Sequence, residues 1–210
     1  MAEKESIPFI KLSGSSRFTI PGLGEGRVSG SGRISPEEIN VSGSSTMPGG
    51  MKVGLVEASG SSTFKGDIEA DRMDLSGSAS IEGSARFKRL TKSGSLRIGG
   101  DAVGGSMDVS GSTHVEGSVN LGEKLRASGS LEVGEDVVVG DLVELDGSFR
   151  VGGRIKAKTL DAWLSREMSR VEGGIEAART RTSPQVPLSV SSMPRPPSMG
   201  RSSSQGLEKR

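Results

Sequence analysis

The triplet Ser-Gly-Ser recurs along this chain, and the spacing of its returns limits the fold more than any other feature. The central glycines are Gly14, Gly30, Gly43, Gly60, Gly77, Gly94, Gly111 and Gly129, with an Asp-Gly-Ser variant at Gly147, and the gaps are 16, 13, 17, 17, 17, 17, 18 and 18 residues. Helical solenoids repeat at roughly 33 to 47 residues. Glycine at this frequency would also cost each helix about 1 kcal/mol per residue relative to alanine. The repeat therefore excludes a helical array.

A finer period runs inside the later repeats. From Val109 every sixth residue is apolar: Val109, Val115, Leu121, Ala127, Val133, Val139, Leu145, Val151 and Ala157. A second column runs four residues behind each: Thr113, Val119, Leu125, Leu131, Val137, Val143, Phe149 and Ile155. Alternate side chains of a strand face opposite ways, so this pattern fits short strands on the sides of a prism. Three six-residue sides make a coil of 18. Earlier coils lose one residue at a corner, as in Ala58, Phe64, Ala70, Leu75 and again in Leu75, Ile81, Phe87, Lys92.

Each Ser-Gly-Ser is accordingly read as one completed turn of a parallel β-solenoid, with glycine at a corner where positive φ or close stacking excludes a Cβ. The expected fold is all-β, a single-domain parallel β-helix over residues 12–178 with about 17 to 18 residues per coil. Nine coils spaced about 4.8 Å apart would span roughly 43 Å.

Composition agrees with a thin core: 32 glycines, 5 Phe, 1 Trp and no Tyr. The chain has no cysteine, so it has no disulfide and no thiolate metal site, which suits a reducing cytoplasm. No apolar run approaches the roughly 18 residues of a membrane helix. The net charge of +1 offers no whole-molecule steering toward nucleic acid.

The ends differ from the middle. Residues 1–11 form an N-terminal segment carrying Ile7, Phe9 and Ile10. The stretch KTLDAWLSREMSR loses the six-residue register and reads as a short amphipathic cap, and VEGGIEA, Val171 to Ala177, reads as one more partial coil. Residues 179–210 read as a disordered Pro/Ser/Arg-rich tail, with five of the nine prolines. From Arg181 onward the side-chain charge is +4, suited to weak attraction to an anionic surface.

Catalytic signatures are sparse. The only histidine, His114, adjoins the inward Val115 and should point outward. One histidine and no cysteine leave no partner set for a zinc site or a histidine-dependent triad. Glu116, Glu132, Asp136 and Asp141 are read as scattered outward acids, not as a carboxylate pair, and Gly99-Gly100 and Gly152-Gly153 as corners, not nucleotide loops. The expectation is a non-enzyme without metal or cofactor. One enzymatic alternative comes from VGEDVV and VGDLVE, which are similar to the hexapeptide repeat of left-handed β-helix acyltransferases. That similarity implies His114 as the base, although Leu125, Leu131, Phe149 and Ile155 stand where the repeat prefers small residues.

The repeats VSGSTHVEGSVN, ASGSLEVGEDVVVGD and LDGSFRVGGRIKA more closely resemble the bactofilins, polymer-forming cytoskeletal proteins, over most of residues 12–177. The resemblance implies a right-handed, triangular β-helix that joins end to end into nucleotide-independent filaments serving as scaffolds. It also implies termini that touch a membrane surface or a client protein. The extra coils, the 13-residue gap and KTLDAWLSREMSR depart from a compact member of that family.

Self-assembly is also expected from the ends of a solenoid. The terminal coils of a solenoid leave backbone groups and apolar columns unpaired, and a head-to-tail contact does not close on itself. Phe9, Ile10, Leu12 and Phe18 at one end are expected to meet Phe149, Val151, Ile155 and Trp163 at the other. The expected partner is the chain itself, with neither nucleic acid nor a small-molecule substrate. A third possibility is a flat surface that binds glycan, ice or a partner protein, though Thr46, Thr63 and Thr113 are too scattered for an ice-binding array.

Overall fold

The computed structural model describes residues 7–164, 169–182 and 189–190, and among them every regular element is a strand. In order these are β1 (Ile10–Ile20), β2 (Gly24–Ile34), β3 (Glu38–Pro48), β4 (Met51–Lys65), β5 (Ile68–Ile81), β6 (Ala85–Ile98) and β7 (Ala102–Val115). There follow β8 (Val119–Val133), β9 (Val137–Val139), β10 (Leu142–Val151), β11 (Ile155–Leu164), β12 (Arg170–Val171), β13 (Ile175–Thr182) and β14 (Ser189–Val190). From β3 onward neighbours pair in parallel, and the whole is a β-solenoid of about eight turns.

The coil is built from three inward pairs. In β5 these are Ile68 and Ala70, Met73 and Leu75, and Ala79 and Ile81, each buried and separated by outward corner residues. The first corner holds two residues in β5, Asp71 and Arg72, and three in β8, Gly122, Glu123 and Lys124. That one residue converts the 17-residue coil into the 18-residue coil, and the register shifts there between β7 and β8. Both columns read from the sequence are buried throughout. Backbone ladders satisfy the polar groups of each coil while the stacked columns remove apolar area from water.

The Ser-Gly-Ser corner requires glycine for two reasons. Gly60, Gly77, Gly94, Gly111 and Gly129 all have φ between +86° and +108°, and each Cβ would run into the carbonyl oxygen of the glycine one coil earlier. A side chain there would be strained and would also part the coils.

The first turns depart from the sequence reading. β1 pairs with β2, and β2 with β3, in antiparallel fashion, so Gly14 and Gly30 mark hairpin strands and not completed coils. The gaps of 16 and 13 residues both fall below the 17 that one circuit takes in the following coils. The turn at Pro21–Leu23, with Gly22 at φ +75°, and the Ser35 turn, where the Glu38 amide donates to Ser35 Oγ at 3.0 Å, reverse the chain instead. Ser-Gly-Ser reads the same in both directions. The glycine column therefore continues unbroken through reversed strands, with Gly14 opposite Gly30 and Gly30 opposite Gly43.

The far end also differs. Residues Lys158–Leu164, expected in a cap, extend β11 and stack on β10, with Leu160 and Ala162 buried. The register is not lost there: the corner between Ala157 and Leu160 reverts to two residues, as in the early coils. The rest of that stretch, apart from Ser169 and Arg170, lies outside the described residues. β13 runs to Thr182, so residues 179–182 belong to the solenoid and not to a tail, and Ser189–Val190 pair with β12. The remainder of the expected tail lies outside the described residues.

One inward position is chemically out of place. Between Leu75 and Val109 the column carries Lys92, only 2 % exposed, whose Nζ donates to the carbonyls of Gly77 at 2.7 Å and Ser93 at 2.8 Å. Burial pushes its pKa down from the ordinary 10.5.

Candidate functional site

The surface features with room for a function are the two ends, a groove beside the Ser-Gly-Ser corner and the charged corners. At the N-terminal end β1 pairs only with β2 among the described residues, so its other backbone edge is open. Phe9, immediately before β1, is 68 % exposed, and Ile10 is half-buried. Leu12 and Phe18 are buried in the first layer. The Phe18 ring lies across Gly26 of β2, where a Cβ would collide with it.

At the other end β13 pairs only with β11 among the described residues. Two apolar columns finish there half-covered: Ile155 is buried, while its successor Ile175 is half-buried, as is Ala177 after Ala157. The polarity of the two edges matches. β1 and β3 are separated by two antiparallel steps, which cancel, so β1 runs in the direction of β3 and of the parallel strands through β13.

The residues expected at the assembly contact are sorted by this geometry. Phe9 and Ile10 lie at the open N-terminal edge, with Leu12 and Phe18 just beneath. Phe149, Val151 and Ile155 are at most 2 % exposed, and Val151 and Ile155 are overlaid by Val171 and Ile175, so these three are internal core. Trp163 is 55 % exposed and stands beside Asp146 on the outward row that continues Ser128. The C-terminal surface is thus carried by Ile175 and Ala177, which sequence reasoning passed over because VEGGIEA looked like an ordinary partial coil.

A groove of about 500 Å³ follows the Ser-Gly-Ser corner over six coils. One wall is the row of serines that follow the glycines, such as Ser78, Ser95 and Ser112, and the other includes Arg97, His114, Glu132 and Arg150. His114 Nδ1 lies 3.1 Å from Glu132 Oε2, with the His114 side chain 36 % exposed, so the histidine faces outward as expected. Arg97 pairs with Glu116 and Arg150 with Glu132 across coils. On another side Arg126 bridges Glu144, whose carboxylate is held below its ordinary pKa, chiefly by the hydrogen bond from Arg126.

A side-chain ladder at a different corner was not visible as such in the sequence. Asp67 Oδ1 accepts from the Ser84 amide at 2.8 Å and Ser84 Oγ from the Asp101 amide at 3.1 Å. Asp101 Oδ1 accepts from the Ser118 amide at 2.9 Å, and Asp136 Oδ1 from the Arg154 amide at 2.7 Å. At these four steps one coil satisfies a corner N–H of the next, whereas the Ser118 hydroxyl donates to Glu135 Oε2 instead. Asp136, read as a scattered outward acid, belongs to this ladder. The signal was an Asp or Ser every 17 or 18 residues directly before an inward aliphatic residue.

Among the described residues no group of three acidic or histidine side chains could hold a metal ion, and no helix is long and apolar enough to cross a membrane. Comparison with known proteins returns no match, whether to family models, curated sequences or solved structures.

Proposed function

We propose that this protein is a non-enzymatic, self-assembling scaffold whose solenoids join head to tail into nucleotide-independent filaments. The observation that carries the reading is the matched polarity of the two ends. An incoming copy can lay its β13 edge beside β1 in the same parallel sense that stacks the coils within one molecule. Such a contact is heterologous and propagates. Phe9 and Ile10 at one end, and Ile175 and Ala177 at the other, supply apolar surface that stacking would cover. The resemblance of the repeats to bactofilins supports the same reading and implies a cytoplasmic filament, with the termini available to a membrane surface or a client. Negative-stain electron microscopy of nucleotide-free protein over a concentration and salt series tests it. Unbranched filaments a coil's width across are expected, and discrete particles at every condition would overturn it.

The His114–Glu132 pair favours one second reading. A histidine oriented by a carboxylate in an open groove has the arrangement of a general base, and the acyltransferase-like hexapeptides would give it an acyl-CoA donor. Acyl transfer abolished by His114→Ala would establish that reading, and inactivity of the purified protein toward acyl-CoA with amine or hydroxyl acceptors would exclude it.

A further inference from the structure

A second cavity, of about 370 Å³, opens at the N-terminal hairpins and is lined by Arg17, Glu25, Gly26, Arg27, Thr46 and Lys65. Arg17 and Arg27 are directly opposite one another on the antiparallel β1–β2 pair, and Thr46 is the partner of Arg27 on β3. Lys65 closes the group from the end of β4. Like charges placed directly opposite destabilise a strand pair. Some cations of the solenoid meet a carboxylate on a neighbouring coil, as in Lys52–Glu69 and Lys88–Asp71; what sets this group apart is that three unanswered cations converge on one cavity. Among the described residues none of Arg17, Arg27 and Lys65 is paired with a carboxylate, and Glu25, although it lines the same cavity, bridges to none of them.

The geometry points to a binding site for a phosphate-bearing ligand in this cavity. Three cations against one carboxylate leave a formal +2, which a phosphate group of about −1.5 to −2 would neutralise. Two guanidinium forks suit the oxygens of a tetrahedral oxyanion, Lys65 adds a point charge, and the Thr46 hydroxyl adds a donor. Gly26 contributes by lacking a side chain. The Phe18 ring folds across it into the layer beneath, leaving the two arginines side by side on the outer face. The cavity is larger than a bare phosphate requires, so it has room for the group to which the phosphate is attached. Binding would remove the repulsion between β1 and β2, and so would stabilise the hairpin that forms the open end of the solenoid.

The test uses the full chain with two probes: inorganic phosphate, and phosphatidylcholine vesicles with or without phosphatidylglycerol. Phosphate should raise the melting temperature above that in sodium chloride of equal ionic strength, and titration should give a saturable affinity. Arg27→Gln and Lys65→Gln should each weaken it by about tenfold, as expected for loss of one charge-assisted contact. Lys52→Gln, outside the cavity, should leave it unchanged, and the melting curve of each variant shows whether it folds. Vesicle binding that requires phosphatidylglycerol and is competed by phosphate would place a lipid headgroup in the site. Phosphate binding without vesicle binding would assign a soluble ligand. If chloride at equal ionic strength reproduces the whole stabilisation, or both cavity variants bind like the parent, the effect is screening and the site is refuted.

Discussion

The Lys92 ammonium reaches across a coil boundary to the Gly77 carbonyl at 2.7 Å, placing a charge in a column otherwise occupied by residues such as Leu75 and Val109. Among the described residues no carboxylate partners it, and its second hydrogen bond is to its neighbour's carbonyl, Ser93. A desolvated cation held only by carbonyl dipoles is a net cost that a well-fitting apolar chain would avoid.

Lys92→Met should therefore raise stability at neutral pH, by about 1 kcal/mol in a denaturant titration. The sign of the pH dependence follows from the lowered pKa. Between the folded-state pKa and the ordinary 10.5 the unfolded chain holds a proton that the folded chain has released, so the parent gains stability as pH rises through that window. The advantage of the methionine variant should shrink toward alkaline pH. A constant advantage at all pH values would mean that packing, not charge, sets the cost.

The corner glycines separate two effects that usually occur together. Gly14 has φ +70° with nothing within reach of a Cβ, whereas Gly77 has φ +86° and the Gly60 carbonyl in the way. Gly14→Ala should cost about 1–2 kcal/mol from backbone conformation alone. Gly77→Ala should cost distinctly more, because the coils must also part. Equal losses in chemical denaturation would show that the stacking of glycine on glycine contributes nothing beyond φ.

Glu144 gives an acid-side prediction. Its pKa is lowered in the fold, first by the hydrogen bond from Arg126, so the stability it contributes is present above its unfolded pKa and is lost as pH falls through its folded one. Because the pair is partly solvated, with Arg126 half-exposed, the contribution should be below about 1 kcal/mol at neutral pH. Glu144→Gln should lower stability slightly at neutral pH and match the parent in acid; an undiminished gap in acid would locate the loss elsewhere.

Much of this architecture was legible in the residues. The six-residue columns from Val109 to Ala157 gave the three-sided coil, and the missing residue between Ala70 and Leu75 gave the shorter one, because inward positions in a stacked solenoid tolerate few exceptions. Lys92 was placed in its inward column correctly despite its charge. Strand direction at the start was not legible. Ser-Gly-Ser is a palindrome, and a motif that reads alike in both directions cannot report whether the chain passes forward or back through the corner. The information lay in Pro21-Gly22 and in the short gaps, which are turn signals of a hairpin. The ends of the solenoid were half legible: Phe9 and Ile10 lie at the N-terminal edge as expected, whereas Phe149, Val151 and Ile155 are internal, because KTLDAWLSREMSR hides the strands that cover them. The cavity at Arg17 and Arg27 depends on antiparallel pairing that sets residues ten apart side by side, so a parallel reading could not bring them together.

The central claim is that solenoids add to one another through the open edge of β1. It is tested most directly by negative-stain electron microscopy of the nucleotide-free parent beside Phe9→Lys, both over the same concentration and salt series. Phe9 is 68 % exposed, so the substitution should leave the melting temperature nearly unchanged. Filaments in the parent and single rods in Phe9→Lys are the predicted result. Discrete rods in the parent, or filaments undiminished in the variant, would contradict assembly through this end.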